Sequence, residues 1–311
     1  MTDENQSLTL SKETSVKEFA WPNPTYAWYV VTVLTLAYTV SFIDRQILNL
    51  LVEPIKGDLG ISDTQISLLQ GLAFAIFYSL LGVPIGRLAD RSNRRNVIAL
   101  GIFIWCLMTA ACGLARNFFQ LFLARIGVGI GEAALSPPAY SIIADYFPPE
   151  RLARATGMYA LGVYAGAGIA MLVGGAVIGM ISDAEPISIP YVGFLRPWQM
   201  AFIAVGLPGL LVCALMFTVR EPIRRDNFAD LEPRRTTVSF SEVIDFIKSR
   251  KRFFLSIFVG LSMIGMVIVA ILSWTPTYFI RLHGNFCRFL FSHGNFAPLE
   301  QSGFARKTRV F

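Results

Sequence analysis

Seven long stretches of this sequence carry almost no charged side chain, and they constrain the fold more than any other feature. A helix needs about 20 apolar residues to cross the hydrocarbon core of a bilayer, which is about 30 Å thick. Six stretches are charge-free intervals, between Glu18 and Asp44, Asp63 and Arg87, Arg95 and Arg116, Arg154 and Asp183, Arg196 and Arg220, and Arg252 and Arg281. The remaining stretch, Phe118–Ala144, contains only Arg125 and Glu132 as charges. The sequence therefore predicts seven membrane-spanning helices.

The composition agrees with an integral membrane protein and excludes other classes. Hydrophobic residues make up 54% of the chain and charged residues 15%, whereas soluble domains carry about 25% charged residues. The mean hydropathy of +0.54 excludes a disordered chain and most soluble enzyme folds. The basic residues behind the net charge of +6 fall in short clusters between the apolar runs, so we expect no nucleic-acid binding.

No residue pattern indicates a cofactor or a metal ion. The four cysteines show no CxxC spacing, and three of them lie inside apolar runs, where cysteine is a small core residue. His283 and His293 lie in the C-terminal tail and do not form a metal site. Residues 1–20 are polar, with no basic segment followed by a short apolar core, so we expect no signal peptide.

The distribution of lysine and arginine predicts the orientation in the membrane. Cytoplasmic loops of membrane proteins carry an excess of these residues. With the N-terminus in the cytoplasm, the cytoplasmic segments hold seventeen of them and the opposite loops only three, Lys56, Arg116 and Arg196. We therefore expect a multi-pass protein of the plasma or inner membrane with a cytoplasmic N-terminus.

The spacing of the spans predicts five segments. They are a cytoplasmic tail (1–25), a six-helix half (26–219), a charged cytoplasmic linker (220–252), a seventh helix (253–281) and a tail outside the fold (282–311). The linker holds nine basic and six acidic residues. It is either a solvated connection or, over Ser239–Phe246, an amphipathic helix on the membrane surface. The last tail contains His-Gly-Asn-Phe twice, which is too little for a repeat fold, and we expect it to be disordered.

Charged residues inside the spans are the candidate functional residues, because each costs about 2.5–3.5 kcal/mol at the bilayer centre on insertion scales. Asp44 and Arg45 interrupt the first apolar run. Either the helix continues through them and they face protein or water, or it ends near Phe42 and they lie at the interface.

Arg125 and Glu132 are seven residues apart, so they share one face of the fourth helix, about 10.5 Å apart along its axis. They indicate a proton or ion site or, alternatively, a structural ion pair. Gly127, Gly129 and Gly131 between them allow close helix packing. Pro137-Pro138 then bends or breaks the same helix, for gating or for packing alone.

The segment after the second span contains a Gly, an Asp and a group of arginines in a short turn. Taken alone, this segment is explained by topology. In order, however, it resembles the loop signature of the major facilitator superfamily, through Gly86, Asp90, Arg91, Arg94 and Arg95. Asn93 stands where that family prefers Gly, a mild departure because a left-handed turn tolerates Asn.

Two further segments resemble the spinster-like branch of that superfamily. They are Phe42–Gln46 and Arg125–Ala133, the latter followed by Ser136-Pro137-Pro138. The resemblance implies an all-α membrane fold, with a six-helix half made of two inverted three-helix repeats, a seventh helix and an incomplete second half. It also implies that Asp44 and Glu132 take part in proton coupling, that Arg45 and Arg125 tune them or meet an anionic substrate group, and that Asp90 and its neighbouring arginines form a gate.

The fifth span supports only part of a second signature. Gly157, Gly166, Gly174 and Gly175 match glycines of the antiporter pattern, but Ala170-Met171 stands where that pattern has Gly-Pro. The last three glycines are therefore expected to serve helix packing, and the drug-antiporter subtype is not supported.

The leading hypothesis is a proton-coupled secondary transporter for a small or amphiphilic, lipid-like substrate, and not an enzyme. The alternative is a transport-inactive remnant truncated after the seventh helix. An intramembrane enzyme is disfavoured because HExxH and GxSxG motifs do not occur in the spans. With one helix of the second half, the charges of helices one and four are expected to face lipid and to promote self-association.

Overall fold

The computed structural model of the chain is almost entirely helical over the residues that it describes, which are 21–182, 187–189, 193–224 and 240–282. Within these ranges, seven helical segments are long and apolar enough to cross a membrane, Pro24–Leu50, Asp63–Arg91, Arg94–Cys112, Phe118–Tyr146, Pro149–Val173, Pro197–Met216 and Lys251–Arg281. We call them spans 1 to 7 in chain order. The predicted all-α membrane fold is confirmed.

Several spans consist of more than one helix. The helices are α1 (Pro24–Leu50), α2 (Val52–Leu59), α3 (Asp63–Ser67), α4 (Ala73–Arg91), α5 (Arg94–Cys112), α6 (Phe118–Glu132), α7 (Ser136–Tyr146), α8 (Pro149–Ser182), α9 (Pro197–Gly206), α10 (Gly209–Met216), α11 (Phe240–Ser249) and α12 (Lys251–Leu282). A π-helical turn, Leu68–Leu72, joins α3 to α4 within span 2. Two short antiparallel strands, β1 (Ile187–Ile189) and β2 (Gly193–Leu195), pair before span 6. The charge pattern did not predict this hairpin.

Helix α1 is continuous through its charged residues. It begins at Pro24, where the Asn23 side chain accepts a hydrogen bond of 2.9 Å from the Thr25 N–H, and it ends at Leu50. Proline suits the first turn of a helix because its missing N–H has no intrahelical role there. Asp44 and Arg45 thus lie inside the helix, and the alternative that it ends near Phe42 is wrong.

Span 2 begins at a capped helix end. Ser62 accepts a hydrogen bond from the Gln65 N–H and the Gln65 side chain accepts one from the Ser62 N–H, which together form a capping box. Gly60, with φ of 63°, ends the preceding helix α2 in the left-handed region that favours glycine.

Span 4 is broken where the proline pair predicts a break. Helix α6 ends at Glu132, and α7 begins at Ser136 with Pro137 and Pro138 in its first turns. The residues between the two helices form a turn. Glu132 therefore lies at the C-terminal end of a helix within span 4, where the last carbonyl groups have no intrahelical partners.

The first six spans pack on one another, whereas the side chains of span 7 are largely exposed. Helix α1 packs mainly on α8, and α5 packs on α6 and α9. Trp105, Trp198 and Tyr159 are among the largest fully buried side chains. In the apolar window of span 7 no residue is buried. Among the described residues of α12, only Thr277, near the C-terminal end of the helix, is buried.

The linker contains a helix. α11 covers the second part of the predicted linker, so that part is not an extended connection. Its placement on the membrane surface stays a prediction, as do the segment boundaries. The expectations for the two tails concern residues 1–20 and 283–311, which lie outside the described residues.

Candidate functional site

Four charged side chains from α1 and α6 meet inside the six-helix bundle. Asp44, Arg125 and Glu132 are 0%, 2% and 1% exposed, and the side chain of Arg45 is 25% exposed. The expectation that these charges face lipid is therefore wrong for Asp44, Arg125 and Glu132. The spans that surround α1 and α6 cover three of the four without help from further helices.

Glu132 is held by α1. Its Oε2 atom accepts hydrogen bonds from the Arg45 Nε–H at 2.5 Å and from the Ser41 hydroxyl at 2.6 Å. The alternative of a structural ion pair between Glu132 and Arg125 is thus wrong, because the partner of Glu132 comes from another span. Hydrogen bonds to charged groups are the strong ones, so this contact joins spans 1 and 4 firmly.

Three aromatic rings surround the Arg45 guanidinium. Its central carbon lies 4.4 Å from the ring centre of Phe74, 4.9 Å from that of Phe42 and 5.1 Å from that of Tyr78. A cation over aromatic faces is stabilised by their quadrupoles, and more so where water is excluded. The rings fix the guanidinium at the edge of the bundle without neutralising its charge.

Asp44 lies beside this pair in a less polar environment. Its Oδ2 accepts a hydrogen bond of 3.2 Å from the Thr109 hydroxyl, and among the described residues Oδ1 has no hydrogen-bond partner. Arg125 donates to the backbone carbonyl of Asp44 at 3.4 Å, and not to its carboxylate. A buried ionised carboxylate with so few donors is costly, so this group is poorly compensated when it carries a charge.

Glycines let the charged helices approach. A Cβ added at Gly131 would lie 2.6 Å from the Trp105 backbone nitrogen of span 3, and one added at Gly166 would lie 2.6 Å from the Thr39 carbonyl oxygen of span 1. Gly129 and Gly127 meet Phe74 and Met108 in the same way. Gly175 is buried, whereas the surroundings of Gly174 lie outside what the structure describes.

The segment resembling a gate is mostly helical. Gly86, Asp90 and Arg91 belong to α4, so the turn itself is only two residues long. Asn93 adopts extended backbone angles, φ −72° and ψ 110°, and caps α5 by accepting a hydrogen bond from the Asn96 N–H. The expected left-handed turn at Asn93 is wrong, because the residue serves as a helix cap.

Arg94 is buried where it joins three elements, at the end of the bundle next to the linker, which the charge bias predicts to be the inner end. It donates to Asp145 of span 4 at 2.5 Å and to Glu221 of the linker at 2.7 Å. The Arg95 N–H donates to the second Glu221 oxygen at 3.0 Å. Arg224 donates to the carbonyl oxygens of Ala89 and Ser92 at 2.6 and 2.8 Å, at the end of α4. Asp90 and Arg91, by contrast, are exposed.

A second ionic cluster lies at the opposite end of the bundle, which the charge bias predicts to be the outer end. Arg281 of span 7 donates to Glu53 at 2.7 Å and to Asp63 at 2.8 Å, and Lys56 donates to Asp63 at 2.5 Å. These contacts tie the bare helix α12 to the segment between spans 1 and 2.

Comparison with known proteins identifies the family. The model of the Major Facilitator Superfamily matches residues 34–296. The chain belongs to this superfamily. Its similarity extends to the spinster-like branch, as the resemblance predicted.

Two relatives and one solved structure illustrate that similarity. An MFS-type efflux pump of Mycolicibacterium smegmatis is 29% identical over 84% of this chain and 56% of its own length. Protein spinster homolog 1 of Xenopus tropicalis is 31% identical over 81% of this chain and 45% of its own. The inward-facing, unoccupied crystal structure of a bacterial homolog of the human lysosomal transporter spinster matches with a TM-score of 0.70 and 36% identity, over 85% of this chain and 57% of that one. This superfamily member thus spans about half the length of the proteins it matches.

The superfamily resemblance selected residues that the fold brings together, but it did not supply their partners. Asp44, Arg45, Arg125 and Glu132 form one cluster, and Arg94 and Arg95 form another. Ser41 and Thr109 were missed because hydroxyl residues in an apolar helix give no distinct signal. Asp145 and Glu221 were visible as the acids that bound the fourth and sixth apolar runs.

Proposed function

We propose that this chain supplies the first half, and the first helix of the second half, of a proton-coupled secondary transporter. Transporters of this kind place their site near the membrane midplane between two helical bundles, often at broken helices. The observation that carries the proposal is the cluster of Asp44, Arg45 and Glu132 beside the break in span 4.

Proton exchange has a direct consequence for the ion pair. Glu132 accepts from Arg45 as a carboxylate, so a proton on Glu132 removes half of the pair and releases the guanidinium. Asp44, with one carboxyl oxygen unpartnered among the described residues, is the second candidate for proton uptake. Each protonation state favours a different arrangement of spans 1 and 4, and such a differential is what shifts a conformational equilibrium.

The substrate class follows from the N–H donors of Arg45 that the described contacts do not use and from the rings around them. Of its five N–H donors, one is bonded to Glu132 in the described contacts, and the side chain is a quarter exposed. The surrounding rings of Phe42, Phe74 and Tyr78 are apolar. A small or amphiphilic substrate with an anionic group and an apolar body fits this combination.

The outer ionic cluster supports a particular conformation. Arg281 closes the space between span 7 and the start of span 2 at their outer ends, while no residue in the apolar window of span 7 is buried. We infer a state closed outside and open inside, with the N-terminus in the cytoplasm on the charge bias of the loops.

Infrared difference spectroscopy of the reconstituted chain tests the proton sites directly. Spectra recorded across a pH step should contain carbonyl bands of buried protonated carboxyl groups, one lost in Asp44→Asn and another in Glu132→Gln. The exposed acid variant Asp90→Asn should retain both bands. Spectra identical to wild type in the first two variants would contradict proton exchange at these residues.

A transport assay tests proton coupling through Asp44. A site between two bundles needs further helices beside span 7, and no residue in the apolar window of span 7 is buried. The chain in liposomes should give no flux driven by a pH gradient. The same chain joined to five further helices of a spinster-type relative should give flux that Asp44→Asn abolishes. Equal flux in wild type and in that variant would refute coupling through Asp44.

A further inference from the structure

Four cations gather where α11 meets α12. Lys248, Arg250, Lys251 and Arg252 are all exposed, and we call them the basic elbow. Among the described residues no ion pair joins any of them to a carboxylate. Around the turn from Ser249 to Phe253 lies an open cavity of about 580 Å³.

The position of the basic elbow on α12 is electrostatically unfavourable without an anion. A helix N-terminus carries a partial positive charge and unpaired N–H groups, so it favours anions and disfavours cations. α12 has no acidic residue in its first turn, and it begins instead with Lys251 and Arg252 directly after Arg250. Three exposed cations beside a helix N-terminus therefore form a surface that favours an anion from outside the described residues.

The depth of the basic elbow points to the source of that anion. α12 has 32 residues, which is about 48 Å of helix and more than the hydrocarbon core of about 30 Å. Its apolar part starts at Phe253, immediately after the cations, and the rings of Phe253, Phe254 and Phe258 are in contact. A helix of that length extends beyond the hydrocarbon core, and Lys and Arg side chains at the end of a membrane-spanning helix extend to the interface, so we expect the basic elbow at the level of the lipid headgroups.

Helix α11 supplies an apolar partner for the acyl chains. Phe246 and Ile247 are 54% and 40% exposed, and the Phe246 ring lies 5.9 Å from that of Phe254 and 5.5 Å from the Arg250 guanidinium carbon. Exposed apolar rings beside cations are typical of helices that lie in the membrane interface. Glu242 and Asp245 of α11 are also exposed, and Asp245 lies three residues before Lys248, but among the described residues no ion pair joins either acid to the basic elbow.

From the cations, the helix N-terminus and the adjacent aromatic rings, we infer that the basic elbow is a binding site for an anionic phospholipid headgroup of the leaflet on the linker side. Each basic residue near a membrane surface favours anionic lipid by about 1 kcal/mol. This interaction is independent of transport, and it fixes the hinge between the linker and span 7 to the membrane surface.

Native mass spectrometry of the purified chain, titrated with phosphatidylglycerol or phosphatidylcholine, tests the assignment. Wild type should bind phosphatidylglycerol in preference. The variant Arg250→Gln/Lys251→Gln/Arg252→Gln should bind it between about tenfold and a hundredfold more weakly. Arg250→Lys/Arg252→Lys should stay close to wild type, which shows that charge and not folding is lost.

A charge-matched variant provides the control. Arg225→Gln/Arg234→Gln/Arg235→Gln removes three cations from the same linker and should keep the wild-type affinity. Equal losses in both triple variants would overturn the site, and so would equal binding of the two lipids by wild type. Displacement of the bound lipid by excess inorganic phosphate would assign the site to a free anion and would overturn the proposal as well.

Discussion

Arg94 gives a quantitative test of the inner ionic cluster. Its side chain is 2% exposed, and it lies between the carboxylates of Asp145 and Glu221, whose side chains are 8% and 23% exposed. Arg94→Gln leaves two carboxylates close together without the cation that neutralises them. Breaking a buried ion pair by removing one partner costs about 3–5 kcal/mol. Arg94→Lys should cost less, because a single ammonium keeps the charge but not the several directed bonds of the guanidinium.

Buried thiols provide the assay. Cys106, Cys112 and Cys213 are buried, so a thiol-reactive dye labels them only on unfolding. In a Cys287→Ser background, Arg94→Gln should lower the midpoint of dye labelling on heating by about 10 °C, the shift expected for several kcal/mol in a chain of this size.

An exposed arginine of the same segment is the matched control. Arg91→Gln should leave the labelling midpoint unchanged, because Arg91 is exposed on α4. If Arg94→Gln and Arg91→Gln melt at the same temperature, the buried cluster contributes nothing to stability and the reasoning fails.

Two further outcomes are expected, for packing and for orientation. Gly166→Val should reduce the yield of folded chain, because a Cβ at this position would lie 2.6 Å from the Thr39 carbonyl oxygen. Gly168→Val should leave the yield unchanged, because no atom lies within 4 Å of its Cβ position. Equal yields of the two variants in gel filtration would refute the close contact. A cysteine at Asn93 should react with an impermeant reagent only after the inner face is opened, and one at Thr64 should react from outside; reversed accessibility would refute the orientation.

The spans were predictable from the sequence because a charge-free run of about 20 apolar residues is the length that a bilayer demands and that soluble folds rarely need. The hydrogen-bond partners of the site residues could not be predicted from the sequence. The seven-residue spacing of Arg125 and Glu132 correctly places them on one helix, but spacing carries no information about the neighbouring span, and Arg45 is the partner of Glu132. Sequence reasoning also placed these charges towards lipid because it treated the missing helices as their only cover. The cover comes instead from the first six spans, which pack on one another around these residues.

The loop signature shows a different limit. The residue types were recognised, yet the sequence did not show that α4 continues through Asp90 and Arg91 or that Asn93 caps α5 through a hydrogen bond from Asn96. Arg94 was grouped with exposed arginines because its neighbours in sequence are exposed. Its burial depends on Asp145 and Glu221, which are 51 and 127 residues further along the chain.

The wide separation of the paired charges has a consequence for biosynthesis. Span 1 carries Asp44 and Arg45, but the partner Glu132 is made 87 residues after Arg45. Each charge is costly in an isolated transmembrane helix, so span 1 is poorly stabilised until span 4 has left the ribosome. Span 7, with a mean hydropathy of 2.7 against 1.5 for span 1 and 1.4 for span 4, inserts without help. The order of synthesis and the order of stable insertion are therefore different in this chain, and its first helix depends on its fourth.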